Sequence, residues 1–435
     1  MKKMIGKAIC SFLFLMCLLP IHAVGQELVA GPMIGNSTHR EVSIWVQSKD
    51  KAMVAMRYAP LDRSADFKET AVVMTHASNG FTATLVAENL EPGTTYIYDL
   101  IINGTISSRY KGKRMKTQPL WQWRTDPPDF NFLAGSCFYI NETAYDRPGK
   151  PYGGDYQILS HMIQDTADFM LWLGDNTYLR EVDWTSESGI YHRYTHTRSL
   201  PELQPLLEKM PHYAIWDDHD YGPNDADYTY PLKKYTSQAF KDFWPANGRI
   251  FDDGSITSSF AWADCQFFLL DNRWYRGPQD KEGTMLGAEQ LQWLIDALRG
   301  SKSPFKFVAV GSQMLSDFAD FENFANYERE RQTLLDAIDK YQIKNVVFLT
   351  GDRHHSEISK LVTKSGIEIH DITSSSLTAT AYDHRKEPNT LRIPDAIIGE
   401  RNYALISVTG PRKERKLSVT FKNSDGKILL TQKLF

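Results

Sequence analysis

Five short stretches, far apart along the chain, gather the residue types that bind metal ions: Gly135-Ser136-Cys137, Gly174-Asp175-Asn176-Thr177-Tyr178, Trp216-Asp217-Asp218-His219-Asp220, Leu270-Asp271-Asn272-Arg273 and Gly351-Asp352-Arg353-His354. At least four of the five follow an apolar run that reads as a buried strand. A strand that ends on Asp, His, Cys or Tyr delivers those side chains to one edge of a sheet. Several strands doing this together build a site of mixed oxygen, nitrogen and sulfur donors. The repetition, rather than any one stretch, carries the expectation of a metal centre.

The chemistry differs between stretches. Asp175 emerges from a buried run through the turn at Gly174, and its carboxylate can bridge two cations. The Tyr178 phenolate suits a strongly charged ion such as Fe(III). A turn-capping Asp beside a core Tyr would give the same string, so both readings stand. Asp217 to Asp220 crowd three carboxylates and an imidazole into four residues. Like charges so close disfavour mutual ionisation, and a cation removes that cost. His219 is suited to general acid–base work there. A solvated acidic loop would explain the charge, but not the strand Tyr213–Trp216 leading straight into it. Asp352 and His354, two apart on an extended segment, point to one face and can share a site. His355 would then face away, toward the surface or a supporting position. Arg273 can grip a phosphate bidentately or pair with a loop carboxylate. Cys137 and Cys265 could pair in an oxidising compartment. Cys265 reads instead as a small core residue of the strand pattern Ala261–Asp271, and Cys137, at a strand end, as a metal-facing thiolate.

The chain that must position these residues has 435 of them, too many for one ordinary domain. Its 42% hydrophobic and 23% charged composition is that of a globular protein. A net charge of −4 gives no electrostatic case for binding nucleic acid or an anionic membrane. Lys2, Lys3 and Lys7 precede an apolar run from Ala8 to Pro20, followed by the small residues Ala23-Val24-Gly25. That layout is a secretory signal peptide over residues 1–25, and the run is shorter than the roughly 20 apolar residues of a membrane span. A soluble periplasmic or secreted product, with no transmembrane segment in the mature chain, is expected.

Residues 26–122 read as an all-β sandwich of fibronectin III or immunoglobulin type. Val42–Val46 and Thr82–Val86 alternate with period two, and Pro92-Gly93-Thr94-Thr95-Tyr96 has the turn-then-Tyr pattern of a tyrosine corner. Trp121–Asp129, with paired prolines, reads as a linker. From residue 123 to 435 strand-like runs (Phe130–Ala134, Phe169–Leu173, Tyr213–Trp216, Phe267–Leu270, Phe305–Val310, Val346–Leu349) alternate with helical patterns such as Gly287–Leu298 and Tyr327–Ile338. Alternation implies an α/β fold with a well-covered central sheet. The closing segment Tyr403–Leu434 returns to β-like alternation and suits an outer sheet, and the aromatic stretch Tyr221–Trp244 is expected to shape the pocket.

Taken together, Gly-Ser-Cys, Gly-Asp-x-x-Tyr, Trp-Asp-Asp-His-Asp, Leu-Asp-x-Arg-x-Tyr-Arg (Leu270–Arg276) and Gly-Asp-x-His-x-Ser-Glu (Gly351–Glu357) resemble the motifs of the PhoD-like alkaline phosphatases, in the calcineurin-like metallophosphoesterase superfamily. The resemblance spans most of the chain, since that family also carries an N-terminal β-sandwich. It implies a layered β-sandwich flanked by helices as catalytic domain. It further implies that Cys137, Asp175, Tyr178 and His354 hold Fe(III), with Asp175 bridging to a Ca(II) held by Asp218 and Asp352. Asp218 stands where the superfamily usually has Asn and Asp352 where it usually has His; hard oxygen donors favour Ca(II). His219 matches the group that protonates the leaving group or stabilises the transition state, and Arg273 and Asn224 are candidate substrate contacts. Asn224 falls one position later than the family's Asn, which leaves the number of Ca(II) ions open. The implied activity is hydrolysis of small-molecule or polymeric phosphate monoesters or diesters by a metal-activated water. A strict phosphodiesterase on lipid or cell-wall polymers is the enzymatic alternative, and a secreted binding protein with a structural metal site the non-enzymatic one.

Overall fold

The period-two runs near the N-terminus do form strands. In the computed structural model, which describes residues 28–245 and 248–435, Val42–Ser48 pairs antiparallel with Leu28–Ser37 on one side and Thr82–Ala87 on the other. A second sheet is built on the antiparallel pair Met53–Pro60 and Thr95–Ile102, extended by short strands and by Lys113–Lys116. Alternate side chains of both sheets, among them Ile44, Leu85, Met56 and Leu100, share one apolar core. The Tyr96 hydroxyl accepts the Glu91 N–H at 2.7 Å and closes the turn before its strand, as a tyrosine corner does. The segment read as a signal peptide lies outside the described residues.

Beyond the linker, two larger sheets stack. The first has the order His212–Ile215, Phe169–Leu173, Phe130–Gly135, Asn402–Thr409, Lys416–Asn423, Ile428–Lys433. Its first three strands are parallel, and the closing segment of the chain completes it antiparallel. The second sheet has seven strands, of which Cys265–Leu269, Lys306–Ala309, Val346–Thr350 and Glu368–Thr373 run parallel.

Between the sheets lies an aromatic ladder. Phe132 stacks on Phe169 at 4.9 Å, Phe267 on Phe307 at 4.7 Å, and the two pairs meet edge to face at 5.4 Å. Such offset and T-shaped contacts suit the ring quadrupoles. Alternation along the strands sends Phe268, Val308 and Phe348 to the other face, where Leu294, Leu298, Leu334 and Ile338 of helices Ala288–Gly300 and Glu328–Lys340 cover them. Strands covered on both faces must be apolar at every position, which is why the runs read continuously in the sequence.

The aromatic stretch Tyr221–Trp244 corrects an expectation. Much of it is the helix Lys233–Phe243, and Tyr221, Tyr230, Phe240, Phe243 and Trp244 are buried in the core, which leaves Tyr228 and Tyr235 as its exposed aromatics. Cys137 and Cys265 are both unpaired and buried, so no disulfide links them. Among the described residues no helix is long and apolar enough to cross a membrane.

Candidate metal centre

Parallel strands put all their C-terminal ends on one side, and here both sheets do so at the same edge. Cys137 follows Phe130–Gly135, Asp175 follows Phe169–Leu173, Asp218 and His219 follow His212–Ile215, and Asp352 and His354 follow Val346–Thr350. The strand ends are tied together by main-chain bonds, Cys137 N–H to the Gly174 carbonyl and Gly351 N–H to the Gly311 carbonyl. Glycine is needed for that closeness: a Cβ at Gly351 would lie 2.6 Å from the Leu173 carbonyl oxygen. Cys137, Asp175, Asp352 and His354 all adopt left-handed backbone, with φ of 60°, 53°, 68° and 53°. Each such residue costs about 1–3 kcal/mol and persists only where its surroundings over-determine it. The fold spends stability to aim these side chains inward.

The aimed atoms form two adjoining groups. Donor atoms of Cys137, Asp175 and His354 lie within 4.8 Å of one another, and the Tyr178 hydroxyl is 3.1 Å from His354 Nε2. Asp175, Asp218 and His219 form a second set at the same spacing, and Asp217, Asp218 and Asp352 a third that overlaps it. Asp175 therefore belongs to both groups. His354 Nδ1 donates to the Thr380 carbonyl at 2.7 Å, which leaves the Nε2 lone pair facing the sulfur and the carboxylate. Tyr178 is held from behind by Arg180, which bonds its carbonyl, that of Ile140 and the Asp146 carboxylate.

Burial dominates the electrostatics. Burial and then the Asp218 and Asp217 charges push the Asp175 carboxyl well above its ordinary value, and burial does the same to Asp352. Burial also raises the Cys137 thiol and the Tyr178 phenol, with Asp175 adding to both. Asp218 goes the other way: burial raises it, but the His219 and Arg273 charges, the Asp225 N–H and the bond with Asp175 together bring it below its ordinary value. Burial lowers His354 to about 4, so its imidazole is neutral, which is the ligating form. Asp218 Oδ1 and His219 Nδ1 are buried with no hydrogen-bond partner. Buried acids pressed together, a neutral imidazole and orphaned polar atoms fit cations: a metal ion inverts each of these penalties.

Two sequence-derived site residues take other roles. Arg273 is fully buried, with Nε 2.6 Å from Asp217 Oδ1 and both terminal nitrogens on the Glu322 carboxylate. Its guanidinium is committed to protein carboxylates, which corrects the phosphate-gripping reading in favour of the structural pair. It also accounts for the acidic run without a cation at every member. Arg273 offsets Asp217, while Asp220 accepts the N–H groups of Thr177 and Asp217. Arg273→Met is expected to lower stability by about 3–5 kcal/mol in denaturant unfolding, since it strands buried carboxylates. A phosphate-binding arginine would instead raise KM and leave stability alone. Asn224 is exposed, as is its neighbour Asp225, whose main-chain N–H donates to Asp218 Oδ2 at 2.9 Å. With Glu322 and Asp218, Asp225 forms a further acidic cluster, but Glu322 is already shared by Arg273 and Arg276. His355 is buried rather than surface-exposed, 3.4 Å from Glu357 behind the site.

Two stacked sheets whose parallel strand ends converge on buried Cys, Asp, Tyr and His donors define a metallophosphoesterase-type fold. The PhoD-like phosphatase family matches residues 132–405, and the chain belongs to it. Residues 25–120 match a separate family, a domain of unknown function. Alkaline phosphatase D of Bacillus subtilis (strain 168) is 23% identical over 327 residues, 63% of this chain and 53% of that protein. The match thus spans about half the length of that relative. A solved structure of PhoD superposes with a TM-score of 0.73 at 20% identity, covering 93% of this chain and 91% of that one. A purple acid phosphatase from yellow lupin (Lupinus luteus) seeds superposes with a TM-score of 0.68 at 13% identity, covering 92% of this chain and 73% of that one. At these identities the structural likeness speaks to the fold.

Proposed function

We propose that the chain is an exported, metal-dependent phosphoesterase that hydrolyses phosphate monoesters, diesters or both. The observation that supports this best is the sharing of Asp175 between two adjoining donor groups, with His219 beside them. In this reading Cys137, Asp175, Tyr178 and His354 hold Fe(III), and Asp175, Asp218 and Asp352 hold Ca(II). Anionic phenolate and thiolate donors on one side suit a strongly charged iron, and carboxylate oxygens on the other a hard divalent ion. Bound cations of this type lower the repulsion between a phosphate ester and an incoming nucleophile and acidify water. The chain's own residues do the rest. Asp175 fixes the spacing of the two groups, Asp218 and Arg273 hold the His219 side against charge build-up, and His219 carries the proton for the departing alcohol. In the same reading residues 1–25 direct export, 26–122 form a separate sandwich domain, and 123–435 form the catalytic domain.

The test is turnover of a generic phosphomonoester beside a generic phosphodiester, at neutral and alkaline pH, before and after chelation. Activity that vanishes on chelation and returns with Fe(III) and Ca(II) is expected, and the ratio of the two rates separates monoesterase from diesterase. Metal-loaded protein that turns over neither substrate would sink the general phosphoesterase reading and favour a secreted binding protein with a structural metal site.

A further inference from the structure

Ser375 follows the strand Glu368–Thr373 and is fully buried, outside the donor set described above. Its hydroxyl has two neighbours. It accepts the His354 backbone N–H at 2.9 Å, and its own proton has the Cys137 sulfur as acceptor, at 3.2 Å. Ser136 also approaches that sulfur, at 3.4 Å, but its proton has a nearer acceptor in the Ser374 carbonyl at 3.0 Å. A hydroxyl has one proton to give. Ser375 is therefore the committed donor to Cys137.

We propose that Ser375 is a positioning residue of the metal centre, which ties the sulfur ligand to the backbone of the histidine ligand and draws electron density from the sulfur. The proposal rests on the reading of Cys137 and His354 as ligands of one ion. The seat of Ser375 is fixed from both large sheets. Its N–H donates to Ser356 Oγ at 2.9 Å, and its carbonyl accepts from Asn402 Nδ2 at 3.1 Å. Ser356 opens a strand of the seven-stranded sheet, and Asn402 opens a strand of the six-stranded one. The hydroxyl is thus a fixed point between the sheets, against which Cys137 and His354 are both registered. A hydrogen bond to a metal-bound thiolate lowers the energy of its lone pairs, while the loss of an orienting partner of this kind costs about 10–100-fold in metal affinity because the ligand is no longer held in place.

The test uses Co(II) added to metal-free protein, because a sulfur-to-cobalt charge-transfer band reports on Cys137 whatever the native ion. Wild type, Cys137→Ser, Ser375→Ala, Ser375→Thr and Ser136→Ala are compared by absorption titration, with circular dichroism to check folding. The band is expected in wild type and absent in Cys137→Ser. In Ser375→Ala it should move to lower energy, with Co(II) affinity about tenfold weaker or more. Ser375→Thr, which keeps the hydroxyl, should restore the wild-type band, and Ser136→Ala should leave it nearly in place. An unshifted band and unchanged affinity in folded Ser375→Ala would overturn the role of Ser375 while leaving the metal centre intact. Equal shifts in the two alanine variants would overturn the assignment of Ser375 as the committed donor. No band in wild type would overturn Cys137 as a ligand, and the proposal with it.

Discussion

Asp175→Asn is expected to empty both halves of the centre and, in the absence of metal, to make the protein more stable. The first effect follows from the sharing of this carboxylate by the Cys137–His354 group and the Asp218–His219 group. An amide keeps the shape but loses the charge and one anionic oxygen, so metal content measured on purified protein should fall at both positions together. The loss in affinity should exceed the roughly 100-fold that removal of an outer partner brings, and phosphoester turnover should go with it. The second effect has the opposite sign. In the metal-free wild type, burial and the Asp218 and Asp217 charges raise the Asp175 carboxyl well above its ordinary 3.8. The folded state then holds a proton that the unfolded chain releases, and stability falls as pH rises from the unfolded value through the raised one. Asparagine removes that titration. Denaturant midpoints of metal-free wild type and variant should coincide below about pH 4, where both states of the acid are protonated, and diverge in favour of the variant toward neutral pH. A variant that binds metal normally, or one less stable than metal-free wild type at neutral pH, would remove Asp175 from the position assigned to it.

What could be read in the sequence, and what could not, divides along the same physics. Parallel strands covered on both faces must be apolar throughout, so Phe169–Leu173 and Val346–Thr350 announce themselves, and a polar residue just past the end is visible as a candidate donor. Helix Glu187–Arg198 is hidden because its buried side includes Arg193 and Arg198 as well as Ile190 and Tyr194, which leaves no apolar period to find. The dual promise of Arg273 needed a partner to decide it. Glu322, a buried acid in a polar loop 49 residues away, carries no local signal of that role. Ser375 was equally silent. Serine is common in loops, and its contact with Cys137 spans 238 residues. Asp225 stood beside the residue that drew attention, and it reaches Asp218 through its main-chain N–H, from a left-handed turn at φ 59°, which no side-chain pattern reveals. Donor types at strand ends were legible; the residues that orient them act through long-range proximity and were not.

His219→Gln is expected to slow turnover by about 10²–10⁴-fold for an alkyl phosphate ester while sparing metal content, the range set by loss of a positioned general acid. His219 has contacts of its own beside its place in the second donor set. The His219 ring stacks on Tyr178 at 4.3 Å and its backbone N–H donates to Asp175 Oδ1 at 3.2 Å, so the ring is aimed by both donor groups without belonging to the first. Nε2 stands 3.9 Å from Asp218 Oδ2, beyond hydrogen-bond reach, and its side chain is 23% exposed among neighbours that are almost fully buried. In the proposed reading, this partly exposed imidazole beside the buried acidic cluster is the group that faces the departing alcohol. Its contribution should then depend on how badly the leaving group needs a proton. An alkoxide needs one, whereas an electron-poor phenolate departs without help. The defect in His219→Gln should therefore be large for alkyl esters and shrink by an order of magnitude or more for an activated aryl ester, in kcat rather than in KM. An equal loss for both leaving groups would assign His219 to charge stabilisation of the phosphoryl group instead. A fall in metal content would make it a ligand of the second cation, a role that the shared spacing of Asp175, Asp218 and His219 allows.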